Sequence, residues 1–408
     1  MDKKERIERF EHLRLGLFMH FGLYSAAGEG EWAWHNLPGV RKIYGSLKEH
    51  FNPEKLDFTD ILSKAREAGM RYAVLTARHH DGFSLYDTRG LSDYDVMHTP
   101  YGRDIVRLFA DACRECGMMP FFYHTMHDWQ HPLMQSDFDA YLDYHRKSVE
   151  LLCTRYGEVG GFWFDGCWSS KTADWKLDEL YSMIRRYQPD AMIINNTGLE
   201  ARGVVSHPDI DAVTYEQGHT EERAAAAGEK LPAAEACVTL AHHWGYAKRD
   251  IDFRSPRSII SELASCRGKG INYLLNVGPR GDGSLRPFDA GMLEALSVWT
   301  DQVRDIFYDA ERSDIDAGGR NFALEHGGRT YLFVFGFCGP ESEHSASLTG
   351  SGRISLRGVG RSVKSVRWRD NGRELRFSQD GDCVTVDASG FEYGRNLIVR
   401  VAEITYAV

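Results

Sequence analysis

Over roughly its first 310 residues the chain alternates short β-type runs with helical segments. Eight strand candidates can be read: GLFMHF (16–21), RYAVLTAR (71–78), MPFFYH (119–124), GFWFDG (161–166), AMIINN (191–196), DAVTYE (211–216), ACVTLA (236–241) and NYLLNV (272–277). The intervals DFTDILSKAREAGM, RDIVRLFADACRECG, FDAYLDYHRKSVELLCTRYG, LDELYSMIRRYQ and RSIISELASCRGKG keep apolar residues at helical spacing, as Ile259, Ile260, Leu263 and Ala264 do in the last. Eight strands alternating with helices predict a (β/α)8 barrel of the TIM type over residues 1–310. The stretch 197–234 carries no long amphipathic helix, and EERAAAAGEK within it reads as a short helix or a loop. After residue 310 the pattern changes to short alternating strands broken by Gly-rich turns, as in FALEHGGRTYLFVFGF, GRISLRGVG and CVTVDASG, with Asn371-Gly372 as a hairpin signal. This predicts a second domain over 311–408, a C-terminal antiparallel β-sandwich.

Composition excludes several function classes. Of the 408 residues, 42% are hydrophobic and 26% charged, which rules out disorder, collagen and coiled coil as the main architecture. Asp plus Glu outnumber Lys plus Arg by 59 to 49, a net charge of −10. A partner that is nucleic acid or an anionic membrane would want the opposite sign, and neither is expected. No apolar run reaches the roughly 18 residues of a membrane span. MDKKERIERF is not followed by an apolar run, so no signal peptide is expected and a cytoplasmic location is. The eight cysteines are scattered; only Cys113 and Cys116 are close, on one helical pattern. They read as reduced core thiols rather than as a redox pair or zinc site.

Functional groups of a (β/α)8 barrel gather at the C-terminal strand ends. Here those ends hold His20, then Arg78, His79, His80 and Asp81, then Tyr123 and His124, then Asp165, Asn195 with Asn196, Glu216 and Asn276. So many ionisable groups on one rim point to an active site. Asp165 closes the aromatic run GFWFDGCW, where a carboxylate is costly to desolvate unless its charge is used; the plain alternative is a helix N-cap. Trp163 and Trp168 flank it with flat apolar surface suited to a sugar ring. Glu216 supplies a second carboxylate, as glycoside hydrolysis requires, with Glu221, Glu222, Glu229 and Glu235 as competitors. A metal reading of His124, His127, His131, His79 and His80 finds no HExxH pattern among them, and no metal or other cofactor is expected. Neighbouring residues of a strand face opposite ways, so His79 and His80 share a target only if the strand ends between them. NVGPRGDGSL lacks the Lys-Ser/Thr ending of a phosphate loop, and no GxSxG marks a serine nucleophile.

Several segments together resemble glycoside hydrolase family 29, the retaining α-L-fucosidases: LGLFMHFGLYSAAGEGEWAWHN (15–36), YAVLTARHHDGFSLYDT (72–88), FWFDG (162–166), HWGYA (243–247) and GINYLLNVGPRGDGSL (270–285). The resemblance implies a barrel followed by a β-sandwich. It places Asp165 on the nucleophile and His79 and His80 on paired histidines that hold fucose hydroxyls. His20 falls on the histidine after the first strand, Glu31 and Trp32 on a Glu-Trp pair, and Tyr123 and Trp163 on subsite positions. Glu216, in a YEQ context similar to the family's PEQ, is the choice for the general acid/base; Glu235 is the alternative, its other reading being a structural strand residue. The chain departs from the family at Phe21, where Trp is commoner, at Glu29, where some members have an aromatic, and at Val204, where some have an arginine that Arg202 only approaches.

The expected function is therefore a retaining exo-α-L-fucosidase acting on fucosylated oligosaccharides or glycosides, without a cofactor, with a homo-oligomer left open. The alternatives are a glycosidase for a related sugar, such as an α-L-galactoside, and a non-catalytic carbohydrate-binding relative.

Overall fold

The eight runs do form eight parallel strands that close on themselves: β1 (Leu15–Met19), β2 (Tyr72–Arg78), β3 (Met119–Thr125), β4 (Gly161–Asp165), β5 (Met192–Asn195), β6 (Ala212–Glu216), β7 (Ala233–Thr239) and β8 (Asn272–Val277). Each pairs with its sequence neighbour, and β8 returns to β1 with Leu17 opposite Leu275. The architecture comes from a computed structural model, which describes residues 1–218, 220, 231–337, 351–389 and 394–407. The EERAAAAGEK segment, with Glu221, Glu222 and Glu229, and Cys338 lie outside the described residues.

The chain divides into two compact units, Met1–Arg254 with Ile271–Leu293, and Ser255–Gly270 with Glu294–Val408. In the first unit, alternate residues of the strands fill the barrel interior: Phe18, Tyr72, Val74, Phe121, Tyr123, Trp163, Ile194, Ala212, Cys237 and Leu274 are all buried there. Helix Lys3–Glu11, started by a capping box on Asp2, sends Phe10 against Tyr72 and Phe121 at the N-terminal end of the strands. β1 packs closely on β2 because Gly16 faces the Tyr72 ring, which occupies the space a Cβ would need.

Helices follow where the periodicity places them, at Phe58–Glu67, Ile105–Glu115, Phe138–Arg155 and Leu177–Tyr187. Asp57, Asp104 and Asp137 cap the first three by accepting a backbone N–H of the first turn. No helix joins β5 to β6, in keeping with the missing amphipathic pattern there. β7 differs from its sequence reading: it begins at Ala233, three residues earlier than the run ACVTLA. Two alanines carry little strand propensity and hide its start. The shift moves Glu235 from a position before the strand to the inside of it.

In the second unit two antiparallel sheets are built from β9 (Glu311–Arg312), β10 (Phe322–His326), β11 (Arg329–Val334), β12 (Gly352–Leu356), β13 (Val363–Trp368), β14 (Phe377–Asp380), β15 (Cys383–Ala388) and β16 (Arg400–Tyr406). Their orders are β13-β16-β11-β10-β9 and β12-β15-β14. Leu332, Val334, Val366, Trp368 and Ile404 of one sheet meet Ile354, Leu356, Val384 and Val386 of the other in one buried cluster. At the Asn371-Gly372 turn Gly372 has φ +71°, but the returning chain makes only an isolated bridge between Arg367 and Glu374.

Candidate active site

The C-terminal ends of the barrel strands surround a narrow cavity of about 50 Å3, lined by Phe18, His20, Trp32, His79, His80, Tyr123, Trp163, Asp165, Trp168, Asn196, Glu216 and Trp244. Trp32, Trp168, Glu216 and Trp244 also wall a wider cavity of about 890 Å3. Inner and outer spaces therefore adjoin along these four side chains.

Local geometry explains how the histidine pair reaches the inner space. The β2–β3 register shifts between Thr76 and Arg78, so Ala77 is an extra residue at the end of β2. Arg78 is thereby turned away from the barrel interior, where its Nη1 donates to Tyr144 Oη at 2.9 Å. The strand ends there, and both His79 and His80 line the cavity. On β3 the alternation holds: Tyr123 faces the cavity, whereas His124 packs behind it against His145 and Tyr86.

Asp165, the last residue of β4, receives five donors. Gly166 N, Trp168 Nε1 and Asn196 Nδ2 reach Oδ1 at 2.9, 2.7 and 3.2 Å; Tyr123 Oη and His80 Nε2 reach Oδ2 at 3.0 and 3.3 Å. Burial alone would raise its pKa, but the donors, led by His80, hold it below the usual carboxylate value. Asp165 is thus a buried, ionised and firmly held carboxylate, and it does not cap a helix. Glu216, the last residue of β6, is the opposite case. Burial and the Asp165 charge raise its pKa to about 7, against smaller opposing effects from Asn196 and Arg202.

One amide links the two. Asn196 Nδ2 donates to Asp165 Oδ1 at 3.2 Å and to Glu216 Oε2 at 2.9 Å. Its Oδ1 accepts from Thr214 Oγ1 and Gly198 N, and a backbone N–H can only donate, so the orientation of the amide is fixed. The two bridged carboxylate oxygens therefore lie at most about 6 Å apart, compatible with the roughly 5–5.5 Å separation of the carboxyl groups in a retaining pair. Arg202 Nε donates to the Glu216 main-chain oxygen at 2.6 Å, so the arginine two residues from Val204 does stand beside Glu216.

His20 and His79 are neutral hydrogen-bonding groups. Asn276 Nδ2 donates to Trp244 O, which turns Asn276 Oδ1 toward His20 Nδ1 at 2.7 Å. His20 Nδ1 therefore carries the ring proton and Nε2 is an acceptor. Burial lowers the His20 pKa to about 3 and drives that of His79 well below its ordinary value. His79 Nδ1 is buried without a partner among the described residues, a capacity that a sugar hydroxyl in the cavity would meet.

A barrel of this kind, with two unlike carboxyl groups bridged at its rim, matches known sequences. Residues 1–304 fit the family model described as Alpha-L-fucosidase. The chain belongs to the α-L-fucosidase family. α-L-Fucosidase isoenzyme 1 from Paenibacillus thiaminolyticus superposes with a TM-score of 0.85 at 30% identity, covering all of both chains. A Bacteroides thetaiotaomicron α-L-fucosidase of family GH29, trapped as a covalent intermediate with 2-fluoro-fucosyl fluoride, has a TM-score of 0.79 at 24% identity over all of this chain and 97% of that one. That likeness is one of fold. The Dictyostelium discoideum α-L-fucosidase is 25% identical over 316 residues, 68% of this chain and 66% of the relative, just under two thirds of its length.

Within this α-L-fucosidase fold, His20, Trp32, His79, His80, Tyr123, Trp163, Asp165 and Glu216 come together around the inner cavity. Glu31 stands apart from it: it is buried against the segment after β7, where Oε2 accepts from Gly245 N at 2.9 Å, and it borders only the outer cavity. Burial raises its pKa. Glu235, the alternative acid/base, sits inside the barrel and lines neither space. Tyr72 Oη and Trp163 Nε1 donate to it at 2.5 and 2.9 Å. His127 Nδ1 bonds to Ser169 Oγ and His131 Nδ1 accepts from Leu133 N, both outside the inner lining. Asn195 points outward to Tyr181.

Two contributors were not singled out from sequence. Trp244 lies in the HWGYA segment, and the motif itself was its signal. Phe18 on β1 shares the parity of His20, the residue after that strand, and was legible from it. Nothing in the sequence announced that Asn196 would bridge both carboxyl groups.

Proposed function

We propose that the protein is a retaining exo-α-L-fucosidase that removes terminal α-L-fucose from oligosaccharides or glycosides. Fucose enters the inner cavity and the leaving group lies in the outer one. The Asp165 carboxylate attacks the anomeric carbon while Glu216 gives its proton to the departing glycosidic oxygen, forming a fucosyl ester and releasing the leaving group as an alcohol. Glu216, now a carboxylate, takes a proton from water, whose oxygen displaces Asp165 and frees fucose. Neutral His20 and His79 can exchange hydrogen bonds with the sugar hydroxyls, and Trp244, Trp32 and Phe18 offer apolar surface to the C6 methyl. The observation that carries this reading is the Asn196 bridge between an ionised Asp165 and a protonated Glu216. The environments also explain the change of role. Esterification removes the Asp165 charge that helps keep Glu216 protonated, so Glu216 becomes easier to ionise when a base is needed.

The reading is tested on a panel of aryl glycosides. Wild type should cleave the α-L-fucoside in preference to the α-L-galactoside, and Asp165→Gly should lose at least about 10³-fold in kcat. Azide should then yield β-L-fucosyl azide with Asp165→Gly and α-L-fucosyl azide with Glu216→Ala. The same azide anomer from both variants would remove the role assignment. A cytoplasmic, reducing location is part of the proposal; the described cysteines are all free thiols, which supports it. Among the described residues no helix is long and apolar enough to cross a membrane.

A further inference from the structure

The residue after Glu216 has a conformation and a set of contacts that the mechanism above does not use. Gln217 has φ +59° and is followed by Gly218 at φ +78°, so the chain turns through two successive left-handed positions as it leaves β6. Glutamine in that region is strained, and such strain is kept where the surroundings enforce it. Two contacts do so here. Gln217 N donates to Cys237 O at 2.8 Å, and Gln217 Oε1 accepts from Thr239 Oγ1 at 3.2 Å and Thr239 N at 3.5 Å.

The Thr239 backbone N–H can only donate, so it is the amide oxygen that faces β7 and the NH2 group that is left. Gln217 lines the wide outer cavity beside Glu216, and its Nε2 meets no partner among the described residues. A donor pair is therefore held ready next to the acid, in the space that the departing sugar must occupy.

We infer that Gln217 is a leaving-group recognition residue: its Nε2 donates to an oxygen acceptor, a hydroxyl or an acetamido carbonyl, on the sugar to which fucose is attached. The inference rests on the fucosidase reading and names what that same site selects. An oxygen-bearing sugar ring satisfies the donor. A planar aryl group offers no acceptor at that position and leaves the amide unpaired, so Gln217 raises turnover of sugar-linked fucosides over aryl fucosides.

The test compares wild type with Gln217→Gly, which suits the left-handed backbone, and with Thr239→Val, which releases the amide oxygen. For each, kcat/KM is measured on a nitrophenyl α-L-fucoside and on fucosyl disaccharides whose leaving sugar is galactose or N-acetylglucosamine. The disaccharide-to-aryl ratio of kcat/KM should fall about tenfold in Gln217→Gly, the worth of one neutral hydrogen bond, and by less in Thr239→Val. A fall with N-acetylglucosamine alone assigns the acceptor to the acetamido group, and a fall with both assigns it to a hydroxyl. An unchanged ratio in an active Gln217→Gly enzyme overturns the inference while leaving the fucosidase reading intact. A folded wild type without activity on any fucoside overturns both.

Discussion

Asp165 and Glu216 are both carboxyl groups on the same rim, and their surroundings separate them. Among the described residues Asp165 has five donors that favour its charged form, whereas Glu216 has a single amide donor and a negative neighbour. The pH dependence follows with definite signs. Asp165 must be ionised, so activity falls in acid as pH drops through its lowered pKa. Glu216 must carry a proton at the start of the cycle, so kcat/KM falls as pH rises through about 7. The alkaline limb should be marked on disaccharides, whose leaving groups need protonation, and weak on nitrophenyl fucosides. Glu216→Gln should abolish that limb and cost roughly 10²–10⁴-fold on disaccharides, with less loss in kcat/KM on activated aryl substrates. pH–rate profiles of both forms check this, and a limb that persists in Glu216→Gln would assign it to another group. Glu235, also raised to about 7, has no path to substrate because Tyr72 and Trp163 enclose it.

At the level of the strands, the site depends on small irregularities. The bulge at Ala77 lets two adjacent histidines serve one cavity. At the end of β4, Gly166 has φ +102°, its N–H holds Asp165 Oδ1, and an added Cβ would come within 3.0 Å of the His127 backbone nitrogen. Gly166→Ala should therefore cost about 1–3 kcal/mol of stability and displace Asp165, lowering kcat by about 10²-fold. Thermal unfolding together with kcat measures both, and a kcat within twofold of wild type would contradict the role given to this turn. These irregularities mark the limit of sequence reading. Strand parity places Tyr123 inside and His124 outside from sequence alone, because period two is simple geometry. The bulge after Thr76 carries no such sign. The alanines at the start of β7 hide where that strand begins, so sequence alone leaves Glu235 between a structural strand residue and an acid/base.

For the molecule as a whole, the alternation of eight strands with helices was enough to read the barrel, and the later Gly-broken strands to read two antiparallel sheets. Most of the site was legible as well, because a parallel barrel brings its strand ends to one rim whatever their separation in sequence. What sequence could not supply is distance: that one asparagine would bring an oxygen of each carboxyl group within about 6 Å of the other, a reach compatible with a double displacement. That spacing is the central claim, and the stereochemical outcome tests it most directly. Proton NMR of an aryl α-L-fucoside during the first minutes of hydrolysis, before mutarotation, reports which anomer is released. Two displacements at the anomeric carbon predict α-L-fucose as the first product. β-L-Fucose appearing first would mean a single displacement by water, and would contradict the account.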